Sequence, residues 1–216
     1  MVKKENILVT GSAGQLGKSI KKISSKFYSF NFFFTEKNEL DISNLNLVKD
    51  FLTSNKISVV INCAAYTDVD KAENNFELAN LVNHLCVANL GILCKRFNIK
   101  LIHISTDFVF DGENKLPYTE NIKPNPINDY GKTKLMGENK ILSLNLRNSI
   151  ILRTSWLYSE FDTNFVKKIY ENMNSNNSIS VVDDQIGSPT YARHLSEAIL
   201  NIIPVISNIK TEIYHF

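Results

Sequence analysis

Short apolar runs alternate along this chain with longer stretches of helical periodicity. NILVTG (6–11), FNFFFT (30–35), ISVVINCAA (57–65), KLIHIST (100–106) and SIILRTSW (149–156) read as strands. Between them, residues 15–27, 44–55, about 71–98 and 129–144 carry the spacing of helices. The strand runs are rich in Val, Ile and Phe without a polar residue at every second place, so both of their faces are expected to be buried. That pattern belongs to a parallel sheet covered by helices on each side. Repeated strand–helix alternation then predicts an α/β, doubly wound, Rossmann-like fold. The polar stretch NMNSNNSIS (172–180) interrupts the pattern and is expected to be a loop leading into a small separate lobe.

Composition narrows the picture. At 216 residues, 44% hydrophobic and 21% charged, the chain has the mix of a soluble globular protein with room for a full core. A net charge of +2, with scattered lysines, gives no electrostatic footprint for nucleic acid or membrane. Residues 1–6 are polar and lead directly into a strand, so no signal peptide is expected, nor any apolar run of membrane-spanning length. Cys63, Cys86 and Cys94 form an odd set without a C-x-x-C, which points to reduced thiols and a cytoplasmic location. His84, His103, His194 and His215 lack ligand spacing, and no metal is expected.

The first strand ends in GSAGQLG, placing Gly11, Gly14 and Gly17 three apart at the start of the first helix. Glycines here permit a tight turn, close approach of backbone to a pyrophosphate, and close helix packing. The helix opening then directs unpaired N–H groups and a positive dipole end at that pyrophosphate. A plain strand–helix turn is the alternative; the position after the first strand favours a dinucleotide. Glu36, at the place of the ribose-binding acid, stands beside Lys37, which suits a 2′-phosphate, so NADPH and NADH both remain open. Asp70 and Glu73 fit a capping box for the following helix, with a role in the site as the open alternative.

Tyr130 and Lys134, four apart in DYGKTK, share a helix face about 6 Å apart in rise. Composition alone yields about one such pair by chance. Company makes this one notable: a dinucleotide loop, and Thr106 at the end of the fourth strand. Reducing a ketone requires a hydride on carbon and a proton on oxygen. Tyr130 would supply the proton, Lys134 would lower the phenol's pKa from ~10, and Thr106 would steady charge developing on the oxygen.

GSAGQLG, INCAAYTDVDKAE, HISTDFVFDG, PYTENIKPNPINDYGKTKLMGE, ILRTSWLY and DDQIGSPTYARHL together resemble the extended sugar-nucleotide branch of the short-chain dehydrogenase/reductase superfamily. Within it the chain is most similar to the dTDP-4-dehydrorhamnose reductase family. The resemblance implies Thr106, Tyr130 and Lys134 as catalytic residues. It implies cofactor contacts from Gly11, Gly14, Gln15, Leu16, Gly17, Asp41, Ile42, Ala64, Ala65, Tyr66 and Thr67, besides Tyr130 and Lys134. Asp107 and Trp156 would touch the nucleotide-sugar with Thr106, although Trp156 also reads as core. The implied reaction is NADPH- or NADH-dependent reduction of dTDP-4-dehydro-L-rhamnose, feeding surface polysaccharide. Residues 1–170, with 192–216 returning, would form the dinucleotide domain, and 171–191 part of the substrate lobe. The family continues beyond the strand matched by TEIYHF, so that lobe is expected to be incomplete here. Some members bridge a homodimer through magnesium with a Glu where this chain has Ser19, so that metal site is not carried over, while a homodimer stays open. Two other readings also stay open: a regulatory dinucleotide-binding subunit without catalysis, and a reductase or epimerase of another nucleotide-sugar.

Overall fold

The structure of the protein, a computed structural model, describes residues 4–174, 180–181 and 184–216. Six strands form one parallel sheet: β1 (Glu5–Thr10), β2 (Phe30–Thr35), β3 (Val59–Asn62), β4 (Lys100–Thr106), β5 (Ile150–Thr154) and, near the end of the chain, β8 (Glu212–His215). Their order is β2-β1-β3-β4-β5-β8. The chain moves outward from β1 to β2 and then crosses back to β3 on the other side, so the two halves diverge between β1 and β3. Ligands of open α/β sheets bind at that divergence, outside the carboxyl ends of the strands. The doubly wound expectation is met.

Alternate residues of each strand feed two separate cores, which is why the strands read as continuous apolar runs. Ile7, Val9, Val59, Ile61, Ile102 and Ile150 pack on one face with Leu16, Ile20, Leu195 and Ile199. These belong to α1 (Gln15–Ile23) and, for the last two, α8 (Ala192–Ile202). Leu8, Val60, Leu101 and Ile151 pack on the other face with Val48, Leu90 and Ile141. Those come from α2 (Leu45–Ser54), α5 (Cys86–Phe97) and α6 (Asp129–Leu144).

Several boundaries differ from expectation. The helix expected over 71–98 begins earlier and is broken. It comprises α3 (Val69–Ala72), α4 (Phe76–Asn80), a π turn (Leu81–Leu85) and then α5. Asp68, not Asp70, caps α3, accepting from Lys71 N at 3.2 Å. Glu73 instead reaches across the fold and accepts from the Asp129 amide at 2.7 Å. The fused helix Phe76–Phe97 is, at 22 residues, long and apolar enough to cross a membrane, contrary to expectation. Its separate apolar runs are short; the π turn joins them into one rod. Its buried side, including Cys86, Val87, Leu90 and Cys94, lies in the core.

Beyond β5, β6 (Leu157–Tyr158) pairs with β7 (Thr190–Tyr191) in a small parallel ribbon, and α7 (Phe165–Asn174) lies between them in sequence. Residues 172–174, expected as loop, are the last turn of α7; residues 175–179 of that stretch lie outside the described residues.

Candidate active site

Gly11 leaves β1 at φ +63°, a left-handed conformation that side chains disfavour. A Cβ there would sit 2.7 Å from both Cα and N of Ala64, so the turn after β1 is seated directly on the residues that follow β3. A Cβ on Gly17 would lie 2.5 Å from Cα of Ser12, so the helix closes equally tightly on the loop. Gly14 is the N-cap of α1 and offers no side-chain cap. The first-turn amides of that helix therefore keep their donor capacity and the positive dipole end for a ligand. This is a cradle that fits a pyrophosphate.

The expected cofactor contacts divide by chemistry. Leu16 is buried in the core and offers its backbone alone. The Gln15 side chain faces the small ribbon. It donates to Leu157 O at 3.3 Å and accepts from Ser159 Oγ at 2.9 Å and Asn164 Nδ2 at 3.0 Å. It thereby ties the head of α1 to the segment carrying β6, and only its amide is left for a ligand. Asp41 accepts from Ser43 N at 2.9 Å, and that bond holds its carboxyl below the usual range. Ile42, beside it, is half-buried, while Glu36 and Lys37 are exposed after β2.

Ala64, Ala65, Tyr66 and Thr67 form the loop after β3, and a residue that sequence reasoning missed clamps it. Asn83, fully buried in the π turn, accepts from Tyr66 N at 2.9 Å and donates to Tyr66 O at 3.0 Å. It also donates to Thr133 Oγ1 on α6 at 3.2 Å. A π turn inserted in a long helix often marks a functional position, but the sequence carries no local signal for one. A Cβ on Gly137 would collide with the Asn83 carbonyl, and one on Gly131 with the Phe108 carbonyl, so α6 lies unusually close to both segments.

Thr106 stands at the end of β4, and Tyr130 and Lys134 stand one turn apart on α6, which packs against that end of the strand. Asn128 caps α6, accepting from Gly131 N at 2.7 Å, and so fixes the first turn that carries Tyr130. The Thr106 hydroxyl lies close enough to the Tyr130 phenol to lower its pKa. It also accepts from Phe108 N at 3.2 Å and donates to Asp107 Oδ1 at 3.1 Å. Lys134, 2% exposed, donates to Ile104 O at 2.7 Å. β3 ends at Asn62, opposite His103, so that carbonyl lies beyond the last residue of the neighbouring strand.

The electrostatics correct one expectation. Tyr130 is not lowered: burial pushes its phenol up to about 12, the Thr106 hydroxyl pulls it down, and the Asp107 carboxylate pushes it up. Lys134 is itself so buried that its amine falls to about 8, and one of its N–H groups donates to the Ile104 carbonyl. Desolvation, invisible in a local spacing, sets the sign for both groups. Burial also raises Asp107.

Trp156 lies after β5 at φ +43°, a strained position for so bulky a residue. Its carbonyl accepts from Thr190 N at 3.2 Å, its ring lies 5.8 Å from that of Phe165, and a Cβ on Gly187 would press on the indole at 2.9 Å. It is half-buried, neither core nor free.

Residues 5–216 match the family described as RmlD substrate binding domain. The chain belongs to this family. A dTDP-4-dehydrorhamnose reductase of Aggregatibacter actinomycetemcomitans is 39% identical over 213 residues, which is 97% of this chain and 72% of the relative. A dTDP-4-keto-6-deoxy-D-glucose reductase of Streptomyces niveus is 35% identical over 91% of this chain and 68% of its own length. Among solved structures, the dTDP-4-dehydrorhamnose reductase of Bacillus anthracis in complex with NADP superposes with a TM-score of 0.92. It is 36% identical, covering all of this chain and 75% of that one.

Proposed function

We propose that this chain reduces the 4-keto group of dTDP-4-dehydro-L-rhamnose with NADPH, NADH being the second choice of dinucleotide. The observation that supports the reading is Thr106 within reach of the Tyr130 phenol, Lys134 one helical turn on and held at the Ile104 carbonyl, in a fold whose glycine cradle is too tight for any side chain at position 11. The bound dinucleotide supplies the hydride. The free amides of Gln15 through Gly17, the Gly14 turn before them and the loop Ala64–Ala65–Tyr66–Thr67 would hold it, and Lys134 would meet its ribose.

The remaining chemistry belongs to the protein. A phenol raised to about 12 is fully protonated at neutral pH, which is the state a proton donor must have. As hydride reaches carbon, the carbonyl π pair becomes an oxygen lone pair. That oxygen becomes more basic than phenolate, and the Tyr130 proton moves to it. Thr106 donates to Asp107 at 3.1 Å, long for a bond to a carboxylate, so a carbonyl oxygen competes well for that hydrogen. The phenolate left on Tyr130 is stabilised by the Lys134 ammonium and reloaded from solvent. Asp107 and Trp156 orient the sugar.

The test is oxidation of NADPH, followed by absorbance, on adding dTDP-4-dehydro-L-rhamnose. Tyr130→Phe should lose about 10²–10⁴-fold in kcat while still binding NADPH. Turnover that survives the substitution defeats the mechanism. The Streptomyces niveus relative motivates a second reading, reduction of another dTDP-linked 4-keto-6-deoxy sugar, and a faster rate with dTDP-4-keto-6-deoxy-D-glucose would select it. A homodimer and a cytoplasmic location belong to the same proposal; sedimentation and cell fractionation test them.

A further inference from the structure

One turn beyond Lys134 on α6 lies a buried charge that the mechanism does not use. Glu138 is fully buried, and its partner Arg153 on β5 is 3% exposed. Arg153 Nε donates to both carboxylate oxygens, at 3.0 and 3.3 Å, and its Nη2 donates to Oε2 at 2.6 Å. The guanidinium also packs 5.1 Å from the Phe110 ring centre, and Nη1 lies 3.5 Å from Nε2 of His215 on β8. A buried ion pair is poor evidence of stabilisation, because desolvating two charges offsets their attraction and an apolar replacement of the pair is often neutral or better. Its position calls for another reason.

Glu138 follows Lys134 by four residues, so the two side chains share one helix face. In the β4–β5 register Arg153 lies opposite Ser105, one residue past the Ile104 carbonyl that receives the Lys134 amine. Glu138 on its own helix and the Cys63 thiol after β3 act on Lys134, and Lys134 in turn acts on the His103 imidazole on β4. Burial pushes Cys63 up to about 12 and His103 well below its usual value, so both are neutral at pH 7. Of these three, Glu138 alone then presents a negative charge to the ammonium. Behind it stand Arg153 and, from β8, His215.

We propose that Glu138, pinned by Arg153, is a positioning residue that keeps Lys134 charged and aimed into the active site. This rests on the role given to Lys134 above. A carboxylate free to rotate would pair with the amine directly and draw it off Ile104. The guanidinium fork holds the carboxylate still while leaving its charge to be felt one turn away.

The test follows two quantities against pH: kcat/KM for NADPH-driven reduction, and the Kd of NADPH by fluorescence, which needs no turnover. In the wild type both should show an alkaline midpoint near 8. Glu138→Gln keeps shape but removes the anion and leaves Arg153 unbalanced, so both midpoints should fall by about one pH unit. Glu138→Gln combined with Arg153→Gln leaves no unbalanced charge and should titrate between the single variant and the wild type. If Glu138 only held the helix, kcat would fall in both variants with the midpoints unmoved, and that result overturns the proposal. Should the single variant fold too poorly to assay, the double variant must still titrate below wild type; a wild-type midpoint there overturns the proposal equally. A wild type that binds NADPH yet turns over no sugar counts against the reductase reading instead, and the binding titration still decides the role of Glu138.

Discussion

Replacing Asn83 with alanine cuts three hydrogen bonds in one step, two of them to the backbone of the loop proposed to hold the dinucleotide and one to the helix carrying Tyr130 and Lys134. The side chain is fully buried and makes its bonds at 2.9, 3.0 and 3.2 Å. Each is worth about 1 kcal/mol net, and the stranded amide and carbonyl of Tyr66 add a desolvation cost, so the loss should be about 3 kcal/mol. With a urea slope of roughly 1–3 kcal/mol per molar, the unfolding midpoint should fall by about 1–3 M. Trp156, the single tryptophan, provides the fluorescence signal. Freed from its clamp, the loop must also be ordered by the ligand, so NADPH affinity should fall about tenfold for each 1.4 kcal/mol of that ordering. Asn83→Asp retains the acceptor, loses both donors and buries a carboxylate, so it should be at least as damaging. An alanine variant within about 1 kcal/mol of wild type, with unchanged NADPH affinity, would refute the clamp.

Lys134 falls from 10.5 to about 8 on folding, so between those values the unfolded chain holds a proton that the folded chain releases. Stability therefore rises with pH across that window, and the penalty is fully present below it. Lys134→Met should remove the penalty, gaining about 1–3 kcal/mol at pH 7 and flattening the slope by denaturant titration, while turnover disappears. Burial raises Cys63 and Cys94 to about 12 and Cys86 to about 11, so none should react with iodoacetamide at pH 8 until denaturant is added, as mass spectrometry would read. Gly11→Ala combines a left-handed φ with a Cβ 2.7 Å from Ala64, and should cost about 2–4 kcal/mol in urea and weaken NADPH binding.

What could be read from the chain beforehand was whatever a residue reports about its own surroundings. Ile7 and Val9 pack on one face and Leu8 on the other, so an unbroken apolar run announces a strand covered on both sides. Gly11 announces its turn because no other residue tolerates that conformation so close to Ala64. Helix α6 begins and ends as its pattern predicts, between Asn128 and an Asn145 in the left-handed conformation. The failures share one cause, which is that a distant segment decided the outcome. Asp70 and Glu73 have the spacing of a cap, yet Glu73 is taken by an amide 56 residues away. The π turn exists where Asn83 must face Tyr66 and Thr133 at once, and nothing local to Leu81–Leu85 encodes those partners.

Ionisation was the least legible property, and Tyr130 shows why. Its lysine neighbour is visible four residues on, but the sign of its shift is set by how much water the fold removes. Burial raises the phenol and lowers the amine, so the two groups favour their neutral forms before any ligand is considered. A reductase can use this. The acid must be protonated when the ketone arrives and the ammonium is needed only once phenolate forms, so a depressed amine beside a raised phenol leaves the largest electrostatic gain for the moment of proton transfer. Glu138 then sets how far the amine may fall without losing its charge at working pH. That balance is written in the separation of 130, 134 and 138 by single helical turns, but it becomes readable only when Arg153 is found opposite Ser105.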